Sequence, residues 1–240
     1  MLSTVCAATA YAPRIVADDA NAVSAELIEA VNSNATTTWK AGTNERFAGF
    51  TVGDMKLMMG AKPEDMSKVP KMEDFGAATL AAVPASYDPR TSRKACTGPV
   101  LDQGFCGSCW AFGATEAISD RFCLSKGDGA TFVQLAPLDL TTCDSGFLKP
   151  EDGCQGGQLS PAWSYAKRTG LVEESCYPYL KGDGGPVPTC DPTAQPCLPE
   201  SKFIKTPKCA ISSTCQGTKH KLSTYYSVSA SQLKAELVNK

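Results

Sequence analysis

The chain has 240 residues, of which 20% are charged, and a formal net charge of −2. This balance leaves no basic footprint for nucleic acid or an anionic membrane surface, and no run of about 18 apolar residues is present to span a bilayer. Twelve cysteines, eleven of them after residue 95, read as a disulfide framework formed in an oxidising compartment.

The first twelve residues, "MLSTVCAATAYA", are small and apolar and end in an Ala-x-Ala-like site at residues 10–12. They lack a basic start and a long apolar core, so 1–12 is a clipped candidate for a secretory signal. Residues 13–82 are cysteine-free and mostly polar. Here "DANAVSAELIEAVNSN" predicts a short amphipathic helix with Val23, Leu27, Ile28 and Val31 on one face. Asn34, Ala35 and Thr36 form an N-glycosylation sequon. "TVGDMKLMMGAKPED" predicts a second helix stopped by Gly60 and Pro63, and its methionines read as packing surface.

From Pro84 onward, turn formers alternate with short apolar pieces as far as Trp110. Trp110, Ala114, Ala117, Ile118, Arg121 and Phe122 then recur at helical spacing. Ser108 is placed to cap that helix and Gly127 to end it. "QLAPLDLTTC" is a short apolar segment, and "SPAWSYAKRTG" predicts a helix with Pro161 in its first turn and Gly170 as its stop. Residues 176–220 carry five cysteines and little periodicity, so they hold one shape only if cross-linked. "SASQLKAELVNK" begins a last helix.

The chemistry concentrates in "DQGFCGSCWAF". Cys106 and Cys109 form a C-x-x-C pair that admits three readings: a redox couple, half a zinc site, or a structural cysteine beside a nucleophile. Thioredoxin-type couples follow a strand within a βαβ alternation, which this sequence lacks. A zinc site needs a second pair at ligand spacing, and the later cysteines are too irregular for that. The third reading has a direct physical basis. A thiol is a strong nucleophile when ionised, and a helix N-terminus stabilises negative charge. Cys109 falls in the first turn, with Gly107 and Ser108 leaving its approach open. Gln103 is placed to donate side-chain N–H groups to an oxyanion, together with the Cys109 backbone N–H.

"QGFCGSCWAF" resembles the nucleophile motif of papain-like cysteine proteases. "VPASYDPR", "AFGATEAISDRFC", "CQGG", "TPKC" and "KHKLSTYYSVS" resemble successive parts of the cathepsin B branch, and "LIEAVNSNATTTWKAG" resembles its propeptide. The resemblance covers about residues 25–240. It implies an α+β papain-like fold, present here mainly as the helical domain with a disulfide-rich insertion loop. It divides the chain into a signal candidate at 1–12, a propeptide at 13–82 and a catalytic domain at 83–240. The β-rich domain would largely lie beyond the last residue. Carried over residue by residue, it makes Cys109 the nucleophile, Gln103 its oxyanion partner, and Gly107, Ser108, Trp110, Gly156 and Gly157 substrate-binding. It pairs Cys96 with Cys123, Cys106 with Cys154, Cys143 with Cys209, Cys176 with Cys215, and Cys190 with Cys197. It implies peptide substrates, a propeptide lying in the cleft, cystatin-like inhibitors, a secreted or endolysosomal location, and neither cofactor nor metal.

The sequence departs from that family in two ways. Its one histidine, His220, lies 111 residues after Cys109, against about 130–150 for the family's catalytic histidine, and sits between lysines at a position matching no catalytic one. The implied protein is therefore a cysteine endopeptidase zymogen that lacks its catalytic histidine and asparagine within these residues. The insertion loop also has no adjacent histidine pair, which argues against carboxydipeptidase activity. The rival reading is a catalytically silent homologue that binds peptides or inhibitors without cleaving them.

Overall fold

The structure, a computed structural model, describes residues 17–127, 129–144, 153–179 and 219–239 in full, and the backbone of 182–183, 197–198 and 208–209. The chain forms two compact units, one up to Lys56 and one from Leu57 to Lys240.

In the first unit, helix α1 (Ala25–Asn32) starts where Ser24 Oγ accepts the Leu27 N–H at 3.2 Å, the bond expected of a serine N-cap. Its apolar face is looser than the periodicity predicts. Ile28 and Val31 are half-buried, whereas Leu27 is 51% exposed. Asn32 closes the following loop by exchanging two side-chain hydrogen bonds with the Ala41 backbone, at 2.8 and 3.0 Å. Helix α2 (Val52–Leu57) stops three residues before Gly60, so residues 58–60 lie outside the helix.

The second unit is organised by α5 (Cys109–Ser125), which follows the short helices α3 (Ala77–Ala81) and α4 (Pro89–Ser92). Trp110, Ala111, Ala114 and Ile118 recur along one face of α5 and are all buried. They pack with Leu140 of α6 (Pro137–Cys143) and with Ala162, Tyr165 and Ala166 of α7 (Leu159–Arg168). Truncating a side chain such as Ile118 in a core of this kind costs about 2–5 kcal/mol. Gly127 and Gly170 take φ of +79° and +83° just past α5 and α7, the left-handed geometry that suits glycine at a helix end.

Asp139 of α6 ties these elements together. It is fully buried and accepts from Tyr165 Oη at 3.0 Å and the Val172 N–H at 2.9 Å, with Lys219 Nζ at 3.3 Å. Near the end of the chain, α8 (Leu233–Asn239) is held through Glu236, which meets Arg121 at 2.8 Å and Tyr226 Oη at 2.9 Å. Among the described residues, sheet is limited to β1 (Gly104–Phe105) with β2 (Gly182–Asp183), parallel, and β3 (Cys197–Leu198) with β4 (Lys208–Cys209), antiparallel. No helix among them is long and apolar enough to cross a membrane.

Candidate active site

The site is built on the first turn of α5. Cys106 is disulfide-bonded to Cys154, and the Gly107 N–H donates to the Cys154 carbonyl at 2.9 Å. Those two links hold the turn that delivers the chain into α5. Cys109 then stands at the first helical position, half-buried and the one free cysteine among the described residues. Cys96 is bonded to Cys123. Cys143 and Cys176 are also disulfide-bonded; their expected partners Cys209 and Cys215, and the expected Cys190–Cys197 bridge, have side chains outside the described residues.

A strand from the other side of the cleft lies directly on Cys109. The Gly60 N–H donates to Cys109 Sγ at 3.3 Å. Gln103 Nε2 donates to the Met58 carbonyl at 2.8 Å and to the Cys106 carbonyl at 2.6 Å. The Gly157 N–H donates to Gly60 at 2.8 Å, and the Lys62 N–H returns a bond to Gly157 at 2.9 Å, so the strand passes Gly157 in parallel. Beyond it, Gln158 Nε2 donates to the Pro63 carbonyl, and the Glu64 carboxylate accepts from the N–H groups of Leu159 and Ser160 at 2.9–3.2 Å. Glu64 thereby supplies the cap that α7 lacks from its own residues.

Glycine at 60, 107 and 156 follows from this crossing. A Cβ on Gly60 would overlap the Gly107 carbonyl, and one on Gly156 would come to 2.6 Å from the Gly60 oxygen. Three backbones therefore meet where no side chain fits.

The structure brings together Cys109, Gln103, Gly107, Gly156 and Gly157, and turns two other expected cleft residues inward. Trp110 is 1% exposed, lies in the core and donates Nε1–H to the Gly153 carbonyl at 3.2 Å. It packs the helix and does not line the cleft. Ser108 is fully buried and makes no cap hydrogen bond; its hydroxyl lies 2.8 Å from Tyr179 Oη. That phenol also donates to the Gln103 carbonyl at 3.0 Å and packs edge-on against Phe112, ring centroids 4.6 Å apart. Burial pushes Tyr179 up to about 12, with Asp102 and Glu174 adding to the shift against the Ser108 hydrogen bond, so its hydroxyl keeps its proton. Glu174 accepts the Tyr179 N–H at 2.7 Å, and burial raises its carboxyl to about 7.

His220 belongs to a different part of the molecule. Its Nε2 meets Glu173 at 3.0 Å, its ring packs edge-on against Phe122, and its backbone pairs with Leu171. Phe122 is thirteen residues along α5 from Cys109, which at 1.5 Å per residue is about 20 Å. Among the described residues no group of His, Cys, Asp or Glu is placed to hold a metal ion.

Sequence reasoning missed Gly60, Glu64, Glu174 and Tyr179. The one available signal was a glycine directly after Met58 and Met59, read as a helix stop rather than as a close crossing.

Residues 83–240 match the model of the papain family cysteine protease, and residues 23–65 match the peptidase family C1 propeptide. The chain belongs to the papain family of cysteine proteases. Within the family it is similar to cathepsin B and cathepsin B-like proteins. It is 32% identical over 200 residues to cathepsin B of Dictyostelium discoideum, covering 79% of this chain and 57% of that protein. It is 34% identical over 211 residues to a cathepsin B-like cysteine proteinase of Schistosoma japonicum, covering 81% and 56%. Among solved structures, proCathepsin B S9 from Trypanosoma congolense superposes with a TM-score of 0.60 at 25% identity, covering 72% of this chain and 59% of that one. Procathepsin L2 from Tenebrio molitor superposes at 0.53 with 27% identity, covering 69% and 53%. The chain thus spans about half the length of the curated relatives it matches, and its mostly helical make-up is that of the helical domain of the papain-like fold.

Proposed function

We propose that this chain is the zymogen of a cathepsin B-like cysteine endopeptidase, with residues 13–82 as propeptide and 83–240 as catalytic domain. The observation that carries this reading is the double occupation of the site by residues 58–60. Their Gly60 N–H sits on Cys109 Sγ, and their Met58 carbonyl sits on Gln103 Nε2. The thiol of Cys109 is thus faced by an amide donor and the Gln103 donor is already engaged, so residues 58–60 occupy both halves of the site.

With that strand withdrawn, the thiolate attacks a substrate carbonyl carbon and forms a C–S bond. The resulting oxyanion is received by Gln103 Nε2–H and the Cys109 N–H. Collapse of the intermediate breaks the C–N bond, the amine leaves with a proton from a general acid, and water then hydrolyses the thioester, returning the thiol. Gly157 would pair with the substrate backbone as it now pairs with residues 60–62. His220, which packs on Phe122 thirteen residues along α5 from Cys109, does not supply the acid, so turnover requires a general acid other than His220. Peptides, the propeptide itself and cystatin-like inhibitors are the partners this cleft suits. The disulfide-rich composition supports a secreted or endolysosomal setting.

The test is labelling by a peptidyl epoxide that alkylates activated thiolates. The refolded chain should label at Cys109 slowly at neutral pH and faster after acid treatment that yields a new N-terminus near Val83. Absence of Cys109-dependent labelling after that cut would favour the silent binding homologue.

A further inference from the structure

Ser108 occupies the N-cap position of α5, where a serine hydroxyl ordinarily accepts an N–H from the first turn and silences it. Here it does not. Ser108 has φ −100° and ψ 12° rather than the extended geometry of a cap, and no cap hydrogen bond is formed. The N–H groups of Ala111 and Phe112 donate to the Ser108 carbonyl at 2.9 and 3.1 Å, whereas those of Cys109 and Trp110 have no acceptor among the described residues. The start of α5 is left electropositive beside the free thiol of Cys109.

The reason lies 71 residues away. Tyr179 Oη carries one proton, and that proton goes to the Gln103 carbonyl at 3.0 Å. At 2.8 Å from the same oxygen, Ser108 must therefore be the donor, because a phenol has no second proton to give. Its hydroxyl is turned to Tyr179 and away from the first-turn amides. Tyr179 is itself fixed on two sides, by the edge-on contact with Phe112 at 4.6 Å and by the bond from its N–H to Glu174 at 2.7 Å.

We propose that Tyr179 is a positioning residue that holds the Ser108 hydroxyl off the start of α5, keeping the Trp110 N–H group open to negative charge at the nucleophile. The same hydroxyl anchors the backbone of Gln103, so one phenol sets both sides of the oxyanion site. The inference rests on the reading of Cys109 as nucleophile.

The experiment is a double-mutant cycle on the full chain, reading Cys109 alkylation by iodoacetamide across pH 5–9. Tyr179→Phe keeps the ring on Phe112 and removes the oxygen. The stranded Ser108 then shifts its backbone towards the extended cap geometry and its hydroxyl caps the first turn, and alkylation at pH 6 should fall about fivefold, the strength of an ordinary N-cap bond. With Ser108→Ala as the background, the same change should move the rate less than twofold, since no hydroxyl is left to swing. Hydrogen exchange gives a second readout: the Trp110 amide should slow in Tyr179→Phe and not in the double variant. Equal losses in both backgrounds would overturn the proposal and place the effect in packing or in Gln103. So would an unchanged rate in Tyr179→Phe. If the unmutated chain, after the acid cut near Val83 that removes residues 58–60, alkylates at pH 6 no faster than a free cysteine, the nucleophile reading fails, and this inference with it.

Discussion

Replacing Gly60 by alanine should uncover Cys109 without unfolding the catalytic unit. The added Cβ would overlap the Gly107 carbonyl and approach its Cα at 2.8 Å, and both are backbone atoms held by the Cys106–Cys154 bridge. Since Gly60 does not have positive φ, the penalty comes from the close approach and not from conformational strain. Residues 58–62 must lift away. That breaks the bond from Gly60 to Cys109, the two exchanged with Gly157, and the one from Gln103 to Met58. At about 0.5–1.5 kcal/mol net each, losing these four weakens closure by about 2–6 kcal/mol, a factor of at least roughly 30 in the open-to-closed ratio. The assay is the rate of Cys109 modification by a bulky maleimide, located by peptide mapping, alongside urea unfolding of the same sample. Modification should accelerate at least tenfold while the unfolding midpoint stays close to the unmutated one. A Gly60→Ala chain that labels at the original rate would show that the strand does not guard the thiol.

Three further outcomes are expected. Glu64→Ala removes the carboxylate cap of α7 and should cost about 1 kcal/mol of closure, read as a several-fold faster maleimide reaction. Glu174 has a folded-state pKa raised from 4.5 to about 7, so its contribution to stability is intact below pH 4.5 and is lost as pH rises towards 7 and just beyond. The 2.5-unit difference corresponds to about 3 kcal/mol; Glu174→Gln should therefore stabilise the chain by up to that amount at pH 8 and leave it nearly unchanged at pH 4, as measured by urea unfolding at both values. Asp139→Ala leaves the Tyr165 hydroxyl, the Val172 N–H and Lys219 without their shared acceptor and should cost about 3–5 kcal/mol, visible as a lower urea midpoint with Cys109 labelling of the folded protein unchanged.

What the sequence by itself determined is local. The helix after Cys109 follows from apolar residues at helical spacing, its end from Gly127, and the proposed nucleophile from a cysteine at a helix start six residues after a glutamine. Each depends on neighbours within a turn or two, where periodicity and glycine carry information directly. The same locality failed at Ser108 and Trp110. A serine before a helix reads as its cap and a tryptophan beside a nucleophile as part of the cleft, until tertiary packing buries the indole and gives the hydroxyl to Tyr179.

Only the tertiary structure decided how the site is covered and tuned. Gly60 meets Cys109 across 49 residues, Tyr179 meets Gln103 across 76, and Glu64 caps a helix 95 residues on. No spacing rule connects such positions, because loop closure over those lengths is nearly indifferent to which residues meet. The choice is made by the fit of three backbones at Gly60, Gly107 and Gly156, and by the need of a buried phenol and a buried hydroxyl to satisfy each other.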